Sequence, residues 1–315
     1  MTKVLWTSKD IANYTGGKES EDFDIFGISI DTRTLQKGDL FVPLIDERDG
    51  HKFIPEAIKK GAGGTLSINK NSYKTIIVKN TYEALCDIGK AALERSGSLR
   101  VAVTGSVGKT SVKDVLAQMF SSVGSTHKSL KSYNNKWGVP LTMARMPGST
   151  EYGIFELGMN HAGEISELSS LLKPDIAVIT NVGEAHLAQF NNVMEIADAK
   201  SEIIDGLTAN GILILNNDNE YSSHIANKVK DKKIITFGYS VTSDVLVVSY
   251  QCNVDGSNLR LKINKQLIDI YISVPGKHWV ENAATCMAVA YAAGIDLRKA
   301  ATALSSITAQ PGRGE

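Results

Sequence analysis

The stretch Val101-Ala-Val-Thr-Gly-Ser-Val-Gly-Lys-Thr-Ser111 decides the fold of this chain. An apolar run, a glycine-containing turn and then Lys109 and Thr110 are typical of a buried strand that leads into the first turn of a helix. Backbone N–H groups of such a turn bind phosphate, the lysine reaches the β and γ phosphates, and the Thr hydroxyl suits Mg²⁺. The first-glycine position of the usual GxxxxGK[ST] pattern is Val103 here, but the order of strand, turn and helix still predicts a nucleotide phosphate loop.

The sequence around this loop predicts an α/β domain with a mostly parallel sheet. Short apolar runs alternate with stretches of helical periodicity from Leu99 onward, which is the pattern of βαβ units. Three β-rich runs after Asp244 predict an antiparallel edge of this sheet. The predicted strands are 101–103, 153–157, 176–180, 212–215, 234–237, 245–252, 259–263 and 267–274, and the predicted helices are 112–123, 164–172, 194–207, 280–293 and 297–307.

A second, smaller α/β domain is predicted before the loop. Its predicted strands are 25–30, 40–44 and 75–78, and its predicted helices are 54–61 and 82–96. The cluster Ser96-Gly97-Ser98 predicts a hinge, which divides the chain into domains 1–98 and 99–310. The Pro/Gly segment 311–315 predicts the start of a linker to a further domain.

Composition narrows the class of protein. The 315 residues exceed the usual length of one domain, and 34 basic and 34 acidic residues cancel, so no overall basic field favours nucleic acid or an anionic membrane. Neither a secretion signal nor an apolar run of bilayer length is present, which predicts a cytoplasmic protein. The odd number of distant cysteines, Cys86, Cys252 and Cys286, predicts buried thiols in a reducing compartment.

Polar residues follow two of the predicted strands and could lie in the crevice where such sheets bind ligands. Glu156 ends the first of these runs and could hold Mg²⁺ beside the phosphates or be a surface carboxylate. Asn181, Glu184 and His186 follow the second run, and the position of His186 is compatible with either a ligand or a structural role. Lys200, from its spacing alone, is typical of a solvated helix lysine.

Several motifs in one order resemble the Mur ligase family. These are TGSVGKTS at 104–111, SYNNKWGVPLT at 132–142, FELGMNHAGEI at 155–165, ITNVGEAHLAQF at 179–190, AKSEI at 199–203 and GKHWVENA at 276–283. Within the family, the Asn134-Asn135 pair and the ELGMN-x-x-GEI block are similar to the branch that adds D-alanyl-D-alanine. In the N-terminal part, SIDTR at 29–33, GDLFVP at 38–43 and Asp49-Gly-His51 resemble that branch's UDP-sugar-recognising domain.

The resemblance implies a reaction and a set of residues. It implies that ATP phosphorylates the carboxylate of UDP-N-acetylmuramoyl-tripeptide, and that D-alanyl-D-alanine then attacks the acyl phosphate. Its implied catalytic residues are Lys109, Lys200 and His186, with Thr110 and Glu156 binding one Mg²⁺, and His186 and a carbamylated Lys200 binding a second. The implied nucleotide contacts are Gly105, Ser106, Gly108, Lys109, Thr110, Ser111, Asn282 and Arg313, with His278 nearby. The implied substrate contacts are Asn134, Asn135, Thr180 and Asn181 for the muramoyl-peptide, and Ser29, Thr32, Arg33, Asp49 and His51 for the uridine diphosphate.

One departure from the family pattern sets an expectation for the isolated chain. The family has three domains, and this sequence stops at Glu315, where the third would begin. The isolated chain, expected to be a monomer, should therefore bind UDP-muramoyl-tripeptide and ATP without forming the peptide bond. The alternatives are another amide ligase of the superfamily, of the folylpolyglutamate or cyanophycin type, a P-loop kinase or ATPase, and a non-catalytic fragment that binds nucleotide and UDP-sugar.

Overall fold

The chain forms two compact units, and one division between them falls between Gly97 and Ser98. In a computed structural model, which describes residues 3–185 and 189–306, two compact units are found. The first comprises the residues up to 97 and also 136–150, and the second comprises 98–135 and the residues from 151 onward. The segment 136–150, which lies inside the predicted second domain, thus clusters with the N-terminal unit.

The first unit is a small α/β structure. Its five-stranded sheet has the order β2-β7-β6-β5-β4, in which only β2 is antiparallel to its neighbour, and β1 and β3 form a separate antiparallel pair. The strands are β1 Trp6–Thr7, β2 Lys18–Glu19, β3 Asp24–Ile25, β4 Gly27–Ser29, β5 Asp39–Phe41, β6 Gly64–Ser67 and β7 Thr75–Ile77. The helices are α1 Ser8–Thr15, the 3₁₀ turn Gly50–Phe53, α2 Ile54–Lys59, α3 Thr81–Ser96 and, from the later segment, α5 Gly138–Ala144.

A cation and an aromatic ring hold the later segment to the first unit. The Arg95 guanidinium lies 3.4 Å from the centre of the Trp6 ring and donates hydrogen bonds to the carbonyls of Leu5 and Met146, at 2.7 Å each. The Trp6 indole N–H donates to the Ala144 carbonyl at 2.9 Å. These contacts join residues that are far apart in the sequence. Local sequence patterns therefore could not predict that 136–150 belongs to the first unit.

The second unit is built on a nine-stranded sheet with the order β9-β10-β8-β11-β12-β13-β14-β15-β16. All pairs from β9 to β14 are parallel, and the β14-β15 and β15-β16 pairs are antiparallel. The strands are β8 Leu99–Thr104, β9 Thr126–Lys128, β10 Tyr152–Glu156, β11 Ile176–Ile179, β12 Ile212–Asn216, β13 Lys233–Gly238, β14 Val245–Asn253, β15 Gly256–Ile263 and β16 Gln266–Ile272. The predicted fold class, a mostly parallel α/β sheet with an antiparallel edge, is confirmed.

Helices of this unit cover the sheet and supply its core. They are α4 Lys109–Ser121, α6 Glu164–Leu172, α7 Val193–Ser201 followed by the 3₁₀ turn Glu202–Ile204, α8 Ser222–Ala226, α9 Lys277–Ala292 and α10 Leu297–Ser305. Buried residues of α4, α9 and α10 pack with those of the central strands and of the antiparallel edge in one apolar cluster. Within 3–185 and 189–306, no helix combines the length and the apolar composition that crossing a bilayer requires.

The antiparallel edge confirms one prediction and corrects another. The predicted turn at Asn264 and Lys265 joins β15 to β16, and both residues have positive φ, as a two-residue hairpin turn requires. Cys286 is buried and Cys86 is half-buried, but Cys252 is exposed, so the prediction of three buried thiols is wrong for Cys252. Cys252 lies beyond the irregularity between Val247 and Ser249, where β14 continues past the apolar core.

Candidate functional site

Three neighbouring parallel strands, β10, β8 and β11, have their carboxyl ends side by side, and the phosphate loop follows β8. β8 lies between β10 and β11, and its register pairs Val103 with Glu156 and Thr104 with Ile179. The residues that follow these strand ends therefore meet at one place. The carboxyl ends of parallel strands are where open α/β sheets bind ligands.

The phosphate loop has the predicted geometry. Gly105 and Gly108 have positive φ values of 150° and 83°, and Gly108 precedes the first residue of α4. Lys109 opens the helix, and its ammonium group donates to the Gly105 carbonyl at 2.5 Å across the loop. The N-terminus of α4 thus presents backbone N–H groups beside a lysine, which is a site for an anion.

Residues that follow β11 support the loop from the side. The Thr180 hydroxyl donates to the carbonyl of Val107 at 2.5 Å, and the Ser106 hydroxyl donates to the carbonyl of Gly183 at 3.0 Å. The Ser106 backbone N–H donates to the Asn181 carbonyl at 2.8 Å. Thr180 and Asn181 therefore hold the conformation of the loop, whatever else they contact.

The close approach of Thr180 explains why position 105 is glycine and gives a prediction. A Cβ on Gly105 would lie 2.0 Å from the Thr180 hydroxyl oxygen, on a backbone that L-residues rarely adopt. We expect Gly105→Ala to lower the free energy of unfolding by about 2 kcal/mol, measured by urea denaturation. Gly183→Ala is the control, because no described heavy atom lies within 4 Å of its Cβ position and its φ is not positive. Equal losses in the two variants would contradict this account of the loop.

Glu156 is a buried carboxylate at the end of β10. Its side chain is 1% exposed, and Oε1 accepts a hydrogen bond from the Asn134 amide at 2.8 Å. Oε2 is buried and has no hydrogen-bond partner among the described residues, although the Lys113 ammonium lies 3.9 Å away. An oxygen in this state has a free coordination position, which suits a hard divalent cation.

Two lysines of the site have perturbed acidity. Burial lowers the pKa of the Lys109 ammonium, and the negative charge of Glu156 opposes that shift. Lys200, on α7, is 1% exposed, and burial together with the positive charge of Lys109 lowers its pKa to about 7. The interpretation of Lys200 as a solvated helix lysine is therefore wrong. Near neutral pH, a substantial fraction of Lys200 is a neutral and nucleophilic amine.

Asn282 lies on α9 beside the loop. It is 9% exposed, and its amide oxygen is 3.0 Å from the position that a Cβ on Gly108 would take. His278, in the first turn of the same helix, is exposed and lies against the Trp279 ring. Asn282 thus lies beside the loop, and its contact with nucleotide stays a prediction, whereas His278 is exposed to solvent.

The candidate uridine contacts all lie in the first unit. Ser29 is buried, and Thr32 donates to Glu56 at 3.1 Å. Arg33 is exposed and ion-paired with Asp31 at 2.7 Å. Asp49 and His51 form a pair at 2.7 Å, and hydrogen bonds from the His51 backbone and ring lower the pKa of Asp49.

Some site residues fall outside the described residues, and others were missed by the sequence analysis. His186 and Arg313 are not among the described residues. Within the described ranges, no group of three or more His, Cys, Asp or Glu side chains is arranged to hold a metal. The missed residues are Lys113, which stands one helical turn after Lys109, and Asn219, whose amide donates to the Asn181 side chain at 2.5 Å. The i, i+4 spacing from Lys109 was the available signal for Lys113; the sequence carries none for Asn219.

A parallel sheet with a phosphate loop after a central strand defines a P-loop nucleotide-binding protein. The family model described as Mur ligase middle domain matches residues 103–290. A UDP-N-acetylmuramoyl-tripeptide--D-alanyl-D-alanine ligase of Rickettsia prowazekii (strain Madrid E) is 36% identical over 99% of this chain and 71% of its own length. This chain belongs to the Mur ligase family.

Solved structures agree with this family. A crystal structure of MurF from Acinetobacter baumannii superposes with a TM-score of 0.89 at 27% identity, covering 99% of this chain and 70% of that one. The MurF ligase from Thermotoga maritima, solved in complex with ADP, has a TM-score of 0.78 at 25% identity and covers 91% and 67%. The chain thus spans about two thirds of the length of these relatives.

Proposed function

We propose that this protein acts as an ATP-dependent ligase that joins D-alanyl-D-alanine to UDP-N-acetylmuramoyl-tripeptide in peptidoglycan synthesis. The observation that carries the proposal is that the phosphate loop with Lys109 and the unpartnered oxygen of Glu156 lie together at the carboxyl ends of two neighbouring strands, β8 and β10. The relatives are named for this reaction, and similarity to them supplies the two substrates. The proposal covers both forms of the tripeptide substrate, which differ in having lysine or diaminopimelate as the third residue.

The chemistry requires activation of a carboxylate. An amine cannot displace oxide from a carboxylate, so the γ-phosphate of ATP is first transferred to a carboxylate oxygen, which releases ADP. The amine of D-alanyl-D-alanine then attacks the carbonyl carbon, and phosphate leaves with the former carboxylate oxygen. Two anions must approach in the first step, so the protein contributes mainly position and positive charge. Lys109 and the N-terminus of α4 provide both.

The donor atoms at the loop fit a magnesium ion. Thr110 opens α4 beside Lys109, and Glu156 offers a buried oxygen that no described group uses. We assign these two residues to a metal bound with the β and γ phosphates, and His186 with a carbamylated Lys200 to a second. Mg²⁺ supplies charge neutralisation of the phosphates when bound.

The buried position of Lys200 supports its carbamylation. An ammonium ion does not react with CO₂, but a neutral amine forms N–COO⁻ and releases one proton. A pKa of about 7 leaves roughly half of the Lys200 side chains neutral at pH 7. The product replaces a buried positive charge with an anionic oxygen donor, which relieves the repulsion from Lys109 and creates a hard metal ligand.

The remaining candidate residues divide by unit. In the second unit, we assign Asn134, Asn135, Thr180 and Asn181 to the muramoyl-peptide carboxylate, and Gly105, Ser106, Gly108, Ser111, Asn282 and Arg313 to ATP. In the first unit, we assign Ser29, Thr32, Arg33, Asp49 and His51 to the uridine diphosphate. The Asp49–His51 pair and the Thr32–Glu56 hydrogen bond pre-order parts of this surface.

A substrate panel tests the proposed function. The full-length gene product is incubated with ATP and Mg²⁺, and ADP release is measured with UDP-muramoyl precursors of different peptide length, each with and without dipeptides. We expect rapid ADP release only with UDP-muramoyl-tripeptide and D-alanyl-D-alanine together. Equal ADP release without any muramoyl acceptor would indicate an ATPase or kinase instead, and release with folate or an acidic polypeptide would indicate another amide ligase of the superfamily.

A further inference from the structure

Lys113 is a buried cation that the proposed reaction does not use. It lies on α4, one turn after Lys109, and its side chain is 1% exposed. Its ammonium group donates to the Lys131 carbonyl at 2.8 Å and lies 3.3 Å from the Asp114 carboxylate. Burial of an ammonium group is costly unless nearby groups compensate its charge, and here the Lys131 carbonyl and two carboxylates do so.

Two carboxylates lie near the Lys113 ammonium: Asp114 is the closer and is partly exposed, whereas Glu156 is fully buried. The Lys113 nitrogen lies 3.9 Å from Oε2, which is inside ion-pair distance but outside hydrogen-bond distance. Lys113 therefore compensates the charge of Glu156 without occupying its free oxygen. The other oxygen, Oε1, accepts a hydrogen bond from the Asn134 amide. Asn134 therefore fixes the position of the carboxylate, and the Lys113 ammonium compensates its charge on the side of Oε2.

The same ammonium group fixes the segment that carries Asn134. Lys131 has a positive φ of 49°, which is uncommon for a residue with a side chain, and its carbonyl accepts from Lys113. Asp114, in turn, is shared between Lys113 and the more exposed Lys128, which lies 2.8 Å from it. Among the described residues, Lys128 therefore pairs with Asp114, as Lys113 does, but it forms no ion pair with Glu156.

We propose that Lys113 is the internal counter-ion of Glu156 and that it weakens the binding of a free divalent cation there until nucleotide phosphates are present. This inference rests on the proposed function, because it takes Glu156 as a ligand of the nucleotide-associated metal. A divalent cation at Oε2 would be repelled by Lys113 and, more distantly, by Lys109. The phosphates of a nucleotide bring enough negative charge to reverse this balance, so metal and nucleotide bind together.

Manganese binding to the purified protein tests the inference. Free Mn²⁺ is followed by its EPR signal, without nucleotide and with ADP, in the wild type, in Lys113→Met and in Lys113→Gln. Without nucleotide, both variants should bind Mn²⁺ about tenfold more tightly than the wild type, because the repulsive charge is gone. The Gln variant retains a donor for the Lys131 carbonyl, which protects the fold, and thermal unfolding is recorded for each variant.

Two controls make the result specific to Glu156. Lys128→Met removes a cation from the same carboxylate, Asp114, and should leave Mn²⁺ affinity within twofold of the wild type. Adding Glu156→Gln to Lys113→Gln should abolish the gain. Unchanged or weaker Mn²⁺ binding in the Lys113 variants, or a gain that survives Glu156→Gln, would overturn the inference.

The ADP arm separates this inference from the proposed function. ADP should tighten Mn²⁺ binding to the wild type strongly, and less so to the Lys113 variants, whose site already accepts the metal alone. Failure of the wild type to bind ADP with Mn²⁺ would contradict the proposed function. The comparison without nucleotide would still decide the role of Lys113.

Discussion

Lys109→Ala should lower ATP-dependent acyl-phosphate formation by the full-length enzyme about 10³-fold while the protein still folds. The ammonium group already crosses the loop to the Gly105 carbonyl, and it is the only cation within the loop sequence 104–111. Its removal leaves the γ-phosphate without a charge partner in the step that joins two anions. Hydroxylamine trapping of the acyl phosphate measures this step separately from ligation.

The control for Lys109 is a cation of the same unit that lies outside the site. Lys262, exposed on β15, provides it, and Lys262→Ala should retain the activity of the wild type. Circular dichroism and urea unfolding of Lys109→Ala should remain close to the wild type, because the side chain packs in the loop and not in the apolar core. Turnover by Lys109→Ala at the wild-type rate would contradict the role assigned to Lys109 in phosphate binding.

Lys200→Ala should reduce ligation about 10³-fold, and short carboxylates such as formate or acetate should restore part of the activity. The expected cause is loss of the anionic oxygen donor that the carbamate supplies, and a small carboxylate can enter the space that the side chain vacates. Lys228→Ala is the control, since Lys228 contacts Asp198 and Ser201 of the same helix, α7, but from a half-exposed position. The Lys228 variant should need no carboxylate.

The pH dependence of carbamylation provides an independent readout. Because the free Lys200 amine has a pKa of about 7, it becomes protonated as the pH falls below that value, and CO₂ can no longer add. Carbon-13 bicarbonate NMR should show a carbamate signal at pH 8 that diminishes as the pH is lowered through 7. A free Lys200 amine at pH 8 in the Mg²⁺-loaded protein, together with full activity, would contradict the carbamate.

Local sequence patterns predicted much of the fold because they report burial. The apolar runs at 153–157 and 176–180 became β10 and β11, and the turn at Asn264 and Lys265 became a hairpin, since each signal is contained within a few residues. The association of 136–150 with the first unit depends instead on Arg95 and Trp6, which no short window includes. Strand β9 was missed, because three half-buried residues carry too little periodicity to be recognised.

The candidate site shows the same division between local and distant signals. The phosphate loop could be predicted because strand, turn and helix N-terminus follow each other in the chain. Lys200 required the structure, since its burial and the charge of Lys109 come from contacts between distant elements. The free oxygen of Glu156 likewise results from what surrounds it in space, Asn134 on one side and Lys113 on the other.

Oxygen-isotope transfer tests the central claim, carboxylate activation followed by ligation, most directly. UDP-N-acetylmuramoyl-tripeptide labelled with ¹⁸O in its terminal carboxylate is incubated with the full-length gene product, ATP, Mg²⁺ and D-alanyl-D-alanine, and both products are analysed by mass spectrometry. The account predicts UDP-muramoyl-pentapeptide together with phosphate that contains one ¹⁸O atom for each peptide bond formed. Pentapeptide released with unlabelled phosphate would contradict the acyl phosphate, and phosphate released without pentapeptide would contradict the ligase.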